Sequence, residues 1–288
     1  MGILARSALA VSALTLLNSI VFGAAIVPGF DSTADGRNDD GTYTIGGCTN
    51  PAPGGTCSGD PVPIGFSFNF YGTVGNTLYV NTNGNVTFDA PLATFTPFGL
   101  DDAFRQIIAP FFADVDTRNP ASGVVTFGNG TFEGKNAFGI NWIDVGYFEE
   151  NVDKTNAFQL LLVDRAETGA GNFDFIFNYD RVLFETGDAS FGSDGLGGFS
   201  AHVGFSNGTG IPGESYSLFG SGVPGTFINS GTFPLVDNSL NSSVDGRYIF
   251  FVRGGNVVTV VPEPGTYVML LAGVGALAFR KRMLGQSK

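Results

Sequence analysis

The chain has 288 residues, among them 43 glycines and 29 phenylalanines, and carries a formal net charge of −12 with a single histidine. Such an acidic field repels phosphates, which argues against nucleic acid and anionic membrane surfaces as partners. The aromatics supply ample surface to bury, so the turn-forming glycines spread between them describe many short strands rather than disorder.

In chain order, the first segment places Arg6 ahead of an almost uncharged run from Ser7 to Phe22 and then Gly23-Ala24-Ala25. One positive residue, an apolar stretch and small residues before the cut predict a secretory signal peptide over 1–25. Cys48 and Cys57 follow in a loop rich in Gly, Pro and Thr. In an exported protein two such thiols predict one local disulfide, and two thiols alone fall short of a metal site.

Residues 64–70 alternate strictly, with Ile64, Phe66, Phe68 and Phe70 on one face, the pattern of a half-buried strand. The runs 78–80 and 85–88 flank Asn83-Gly84, a dipeptide suited to the positive φ angles of a tight hairpin. Further strands are predicted over 107–115, 124–127, 137–145, 158–164, 172–179, 201–206 and 247–253, and a short helix is considered over 100–106. Phe173, Phe175, Phe177 and Tyr179 again share one face. The predicted fold is all-β, a single antiparallel sandwich or barrel-like domain over 26–260, flanked by a signal helix and a short C-terminal hydrophobic helix.

That last element covers Thr266 to Phe279, 14 residues without charge, followed by Arg280-Lys281-Arg282. At about 1.5 Å per residue it spans about 21 Å against a hydrocarbon core of about 30 Å, short for a permanent anchor. The basic cluster stays cytoplasmic, which leaves everything before it outside. Of the 14 basic residues, Arg6, Arg280, Lys281, Arg282 and Lys288 lie in the two terminal segments, as does Glu263 of the 26 acidic ones, leaving 9 basic against 25 acidic residues between them.

Two resemblances rest on these residues. Pro262-Glu263-Pro264, the apolar run and Arg280, Lys281 and Arg282 together resemble the PEP-CTERM sorting signal of exopolysaccharide-producing Gram-negative bacteria. The resemblance implies an exosortase as processing partner, removal of the tail 261–288 and only transient contact with the inner membrane. The stretches Phe68-Asn-Phe-Tyr-Gly72, Leu78-Tyr-Val-Asn-Thr-Asn-Gly-Asn-Val-Thr-Phe88 and Ile108-Ala-Pro-Phe-Phe-Ala-Asp-Val-Asp-Thr-Arg118 resemble the NIDO domain, an extracellular module found in nidogen, mucins and tectorins. Asn38-Asp-Asp-Gly41 upstream, then Trp142, Asn156 to Asp164 and Ala201 to Gly208, extend the likeness over about 38–253. It implies an adhesive or matrix-associated role and carries no shared catalytic residue.

Four local patterns bear on chemistry. Gly204-Phe-Ser-Asn-Gly208 matches the G-x-S-x-G nucleophile elbow, but no helix follows and His202 is about 13 Å from Ser206 along an extended strand. Asp114 and Asp116 flank Val115, so both carboxylates are expected on one side, as Ca²⁺ ligands or as partners of the turn backbone and Arg118. The same pair offers the two acids of a glycosidase, although nothing in the sequence raises the pKa of either. Residues 35–41 look superficially like a calcium loop without the EF-hand spacing, and Tyr147 and Phe148 are read as the end of a strand.

The sequence thus predicts a non-enzymatic exported protein of the cell surface or matrix, engaged in adhesion or in exopolysaccharide and biofilm association, with extracellular polysaccharide or surface proteins as partners. No cofactor is expected other than Ca²⁺ at Asp114 and Asp116. The alternatives are a self-associating structural matrix protein, Ca²⁺-dependent or not, and a secreted glycan hydrolase.

Overall fold

The computed structural model describes residues 25–45 and 59–258. Residues 1–24, Cys48 and Cys57, the sorting residues Pro262, Glu263, Pro264, Arg280, Lys281 and Arg282, and the helix expected over 266–279 lie outside the described residues.

The chain runs through β1 (Thr33–Ala34), β2 (Val62–Phe70), β3 (Thr73–Asn81), β4 (Asn85–Thr87), β5 (Ile107–Phe112), β6 (Val115–Asp116) and β7 (Val125–Phe132). It continues through β8 (Lys135–Tyr147), β9 (Asn151–Asp164), β10 (Phe173–Arg181), β11 (His202–Ser206), β12 (Ser215–Ser217), β13 (Arg247–Arg253) and β14 (Asn256–Val258). One sheet has the order β1-β7-β8-β9-β10-β13-β14, with β6 also paired to β8, and the other has the order β12-β11-β5-β4-β3-β2. Neither sheet closes on itself, so the fold is an open two-sheet sandwich and the barrel alternative falls away. The helix considered over 100–106 is a single 3-10 turn, Leu100–Asp102, because Ala103 is already extended and ends it.

The alternation in the sequence is what holds the sheets together. Phe173, Phe175, Phe177 and Tyr179 on β10, with Tyr248, Phe250 and Val252 on β13, face the residues that β2, β3, β5 and β11 turn inward. Phe70 lies 6.4 Å from Phe175, Phe111 lies 5.3 Å from Phe158 and Phe205 lies 5.8 Å from Phe250, centroid to centroid. Each fully buried aromatic contributes about 1.5–3 kcal/mol of transfer free energy, so these rows are the principal cohesion between the sheets.

The opposite face of the larger sheet is covered by the chain's own N-terminal segment. Phe30 packs there against Leu161, Val163 and Ile176. It sits over Gly130 and Gly139, where a Cβ would lie 2.8 Å from Phe30 Cε1 and 2.5 Å from Phe30 Cβ respectively. Asn141 Nδ2 donates to Phe30 O at 2.8 Å and Gln159 Nε2 to Val27 O at 2.7 Å, which pins the segment on its strands.

Candidate functional site

The Asn83-Gly84 dipeptide closes a hairpin in which Asn81 pairs with Asn85. Gly84 has φ +72°, and a Cβ there would lie 1.8 Å from Phe111 O, so both the turn and the close approach of β5 require glycine. The polar side chains of this hairpin point inward rather than to solvent: Asn81, Thr82, Asn83 and Asn85 are all buried. Buried amides need partners, and here the partners come from residues 38–42. Thr42 Oγ1 donates to Asn81 Oδ1 at 2.6 Å, Thr82 Oγ1 to Asn38 Oδ1 at 2.5 Å and Asn83 Nδ2 to Asp40 Oδ1 at 3.1 Å. Asn83 Oδ1 accepts from Val115 N at 2.8 Å, and Trp142 Nε1 donates to Thr82 O at 2.9 Å. One hairpin turn thus joins the N-terminal segment to the break between β5 and β6.

At that junction three carboxylates meet. Asp39, Asp40 and Asp114 place one oxygen each within 4.8 Å of one another, and all three are buried. Asp114 has no exposed surface and both of its oxygens lack a hydrogen-bond partner, as does Asp39 Oδ1. Burial pushes the Asp39 carboxyl up to about 8, helped by the neighbouring charges of Asp40 and Asp116. Burial likewise pushes Asp114 up to about 7, reinforced by Asp40 and eased by Ser190, and Asp40 up to about 6, opposed by the Asn83 amide. Ser190 is near Asp114 but donates its hydroxyl to Phe95 O and Thr96 Oγ1 instead.

Asp116 is committed elsewhere. It receives Arg118 Nε and Nη2 at 3.0 and 2.6 Å and Glu150 N at 2.9 Å. Arg118 Nη2 also reaches Asp39 Oδ2 at 3.2 Å, so a single guanidinium serves two carboxylates, while Asp40 and Asp114 have no ion pair among the described residues. The two acids expected to act together therefore take different roles: Asp114 joins Asp39 and Asp40, and Asp116 forms an ion pair with Arg118. The expectation that nothing raises a carboxyl pKa also fails, since burial does so for Asp114, a cause that residue types in sequence do not display. Arg37 donates through Nη1 to the carbonyls of Thr117, Asn119 and Ser122, each at 2.8 Å, and so fixes the turn after Asp116.

The other patterns resolve as packing. Ser206 is fully buried in β11 and accepts from Gly208 N at 3.1 Å, so the G-x-S-x-G match is a strand and not an elbow. Gly204 is required there because a Cβ would meet Tyr216 O at 1.8 Å. Tyr147 ends β8 buried against Phe184 at 5.0 Å, and Phe148 carries the Arg118 guanidinium over its ring at 5.4 Å. Arg118 had been named as a partner of the acidic pair, whereas Asn38 and Asn83 were missed as site residues; both stood in the quoted motifs, and the alternation of Asn81, Asn83 and Asn85 in an otherwise apolar hairpin was the available signal.

The model of the nidogen-like domain, NIDO, matches residues 76–254, more than half of the chain. The chain belongs to the NIDO family. A PEP-CTERM protein-sorting motif matches residues 260–282, which implies processing by an exosortase and marks an exported protein. Alpha-tectorin of Mus musculus is 32% identical over 213 residues, covering 65% of this chain and 9% of that protein. Alpha-tectorin of Gallus gallus is 29% identical over 226 residues, covering 69% and 10%, and nidogen of Drosophila melanogaster is 28% identical over 207 residues, covering 64% and 14%. The chain thus spans about a tenth of the length of the curated relatives it matches. No solved structure matches it. The NIDO match begins within β3, and residues 38–42 upstream of it are bonded into the Asn-rich hairpin it contains.

Proposed function

We propose that this protein is a non-enzymatic adhesive component of the surface or extracellular matrix of a Gram-negative bacterium, with its NIDO domain contacting extracellular polysaccharide or surface proteins. The observation that carries the reading is the direct succession of a NIDO domain, 76–254, and a PEP-CTERM motif, 260–282, in one chain. The exosortase removes the tail after a passing residence in the inner membrane. The geometry supports a binding role over turnover: Ser206 is buried and bonded to its own turn, and Asp116 is neutralised by Arg118. Asp39, Asp40 and Asp114 carry the raised pKa values of acid catalysts yet are at most 7% exposed, too enclosed to meet a glycan.

The test is fractionation of the native host followed by intact-mass measurement. The proposal expects a chain that begins at Ile26, ends near Pro262 and sediments with washed matrix. A chain retained in the inner membrane with its tail uncut, or one released from matrix and cells alike, overturns it.

A further inference from the structure

The junction of Asp39, Asp40 and Asp114 gathers more carboxyl groups than it has basic partners among the described residues. Together with Asp116 these four carboxylates face one guanidinium, Arg118. Both oxygens of Asp114 and one of Asp39 are buried without a hydrogen bond, and a buried polar group in that state costs free energy that folded proteins avoid unless something else fills the place. The next loop presses on that carboxylate, since a Cβ on Gly187 would lie 2.5 Å from Asp114 Oδ2.

We propose that Asp39, Asp40 and Asp114 bind one Ca²⁺ ion, which ties the N-terminal segment to the β3–β4 hairpin and to the β5–β6 break. The donor set is all carboxylate oxygen, the choice of a hard cation. Ligands on opposite sides of Ca²⁺ are about 4.6–5.2 Å apart, twice the metal–oxygen distance, so the spacing of 4.8 Å or less is compatible with one shared ion. Three aspartates supply up to six oxygens when bidentate, within the range of about 6–8 that Ca²⁺ takes. Asn83 fixes Asp40 through its amide and Arg118 fixes Asp39, so two of the three ligands are held in place before the ion arrives. The site stands apart from the adhesion reading and needs no partner of the domain.

The test uses the exported protein freed of divalent cations by EGTA, with Ca²⁺ and then Mg²⁺ added, followed by calorimetric titration and by thermal unfolding. The proposal expects one Ca²⁺ per chain. At a hundredfold excess over Kd it expects a rise in Tm of about 5–10 °C, from the mass-action stabilisation of a domain of this size. Asp114→Asn removes the response, and because it deletes an unpaired buried charge its Ca²⁺-free Tm is at or above that of the unsubstituted chain. That second readout shows the variant to be folded. Asp153→Asn, which removes an exposed carboxylate on β9, keeps the full response. Absence of binding heat and of a Tm shift in the unsubstituted chain overturns the proposal. So does a shift that survives Asp114→Asn, or an equal response to Mg²⁺.

Discussion

Replacing Asn83 with alanine removes the side chain through which the hairpin turn grips both the N-terminal segment and the β5–β6 break. Three hydrogen bonds disappear: from Val115 N at 2.8 Å, to Asp40 Oδ1 at 3.1 Å and to Thr94 O at 3.3 Å. Asn83 is 1% exposed, so the groups left behind have little access to water. At about 1–3 kcal/mol for each buried group left unsatisfied, and with the weakest of the three discounted, the loss is about 3–5 kcal/mol. The assay is built into the chain, because Trp142 is its sole tryptophan, is fully buried and bonds the carbonyl of Thr82, next to the substituted residue. Urea unfolding followed by its fluorescence should show a midpoint lower by about 1–1.7 M, for a slope of about 3 kcal/mol/M. Asp40→Ala made in the same background should lose less than in the unsubstituted chain, since the shared bond is already gone. A midpoint that moves by less than about 0.3 M refutes the claim that Asn83 is the joint of this region.

Other predictions follow from single contacts. Gly139→Val drives a side chain into Phe30 and should destabilise by about 1–3 kcal/mol, with residues 25–32 becoming the first site of limited proteolysis. His202 has its pKa held below the ordinary 6.5 by burial, against the pull of Asp101, and its Nδ1 is buried without a partner. The unfolded chain therefore binds the extra proton first, and stability falls as pH drops below 6.5 towards the lower folded value. His202→Gln should abolish that part of the decline, so its Tm should gain on the unsubstituted chain below pH 6.5 and run parallel above it. The proposed cleavage after Ala25 would turn Ile26 N, 3.3 Å from Asp180 Oδ1, into an α-ammonium group. Asp180→Asn should then cost the processed chain about 0.2–1 kcal/mol, an effect that added salt weakens.

The sequence disclosed the sandwich where its signal was a simple period. Alternation over 64–70 and 173–179 and the Asn83-Gly84 turn mark strands and a hairpin that the structure contains. The short strands β1, β12 and β14 were illegible because two or three residues carry no period, and their pairing is decided by the neighbours they meet. The glycines at 130 and 139 gave no local hint that Phe30 lies over them, since that contact joins residues about a hundred positions apart.

The acidic site was legible only in pieces. Asp114 and Asp116 stood out as a pair, and i, i+2 spacing puts two side chains on one face of a continuous strand. The strand is interrupted between Phe112 and Val115, which frees Asp114 to meet Asp39 and Asp40 while Asp116 turns to Arg118. The 35–41 segment had the composition of a cation loop without its spacing, and the carboxylate that joins Asp39 and Asp40 in space, Asp114, lies some seventy positions away. Burial, which sets the charge of the site, has no sequence signature of its own.

The central claim is that an exported NIDO domain binds its surroundings without altering them. The direct measurement is co-sedimentation of the processed protein with matrix isolated from its own host, with the polysaccharide sized before and after. Saturable binding with unchanged glycan length is the predicted result. Failure to bind the matrix, or binding accompanied by shortened glycan, contradicts the account.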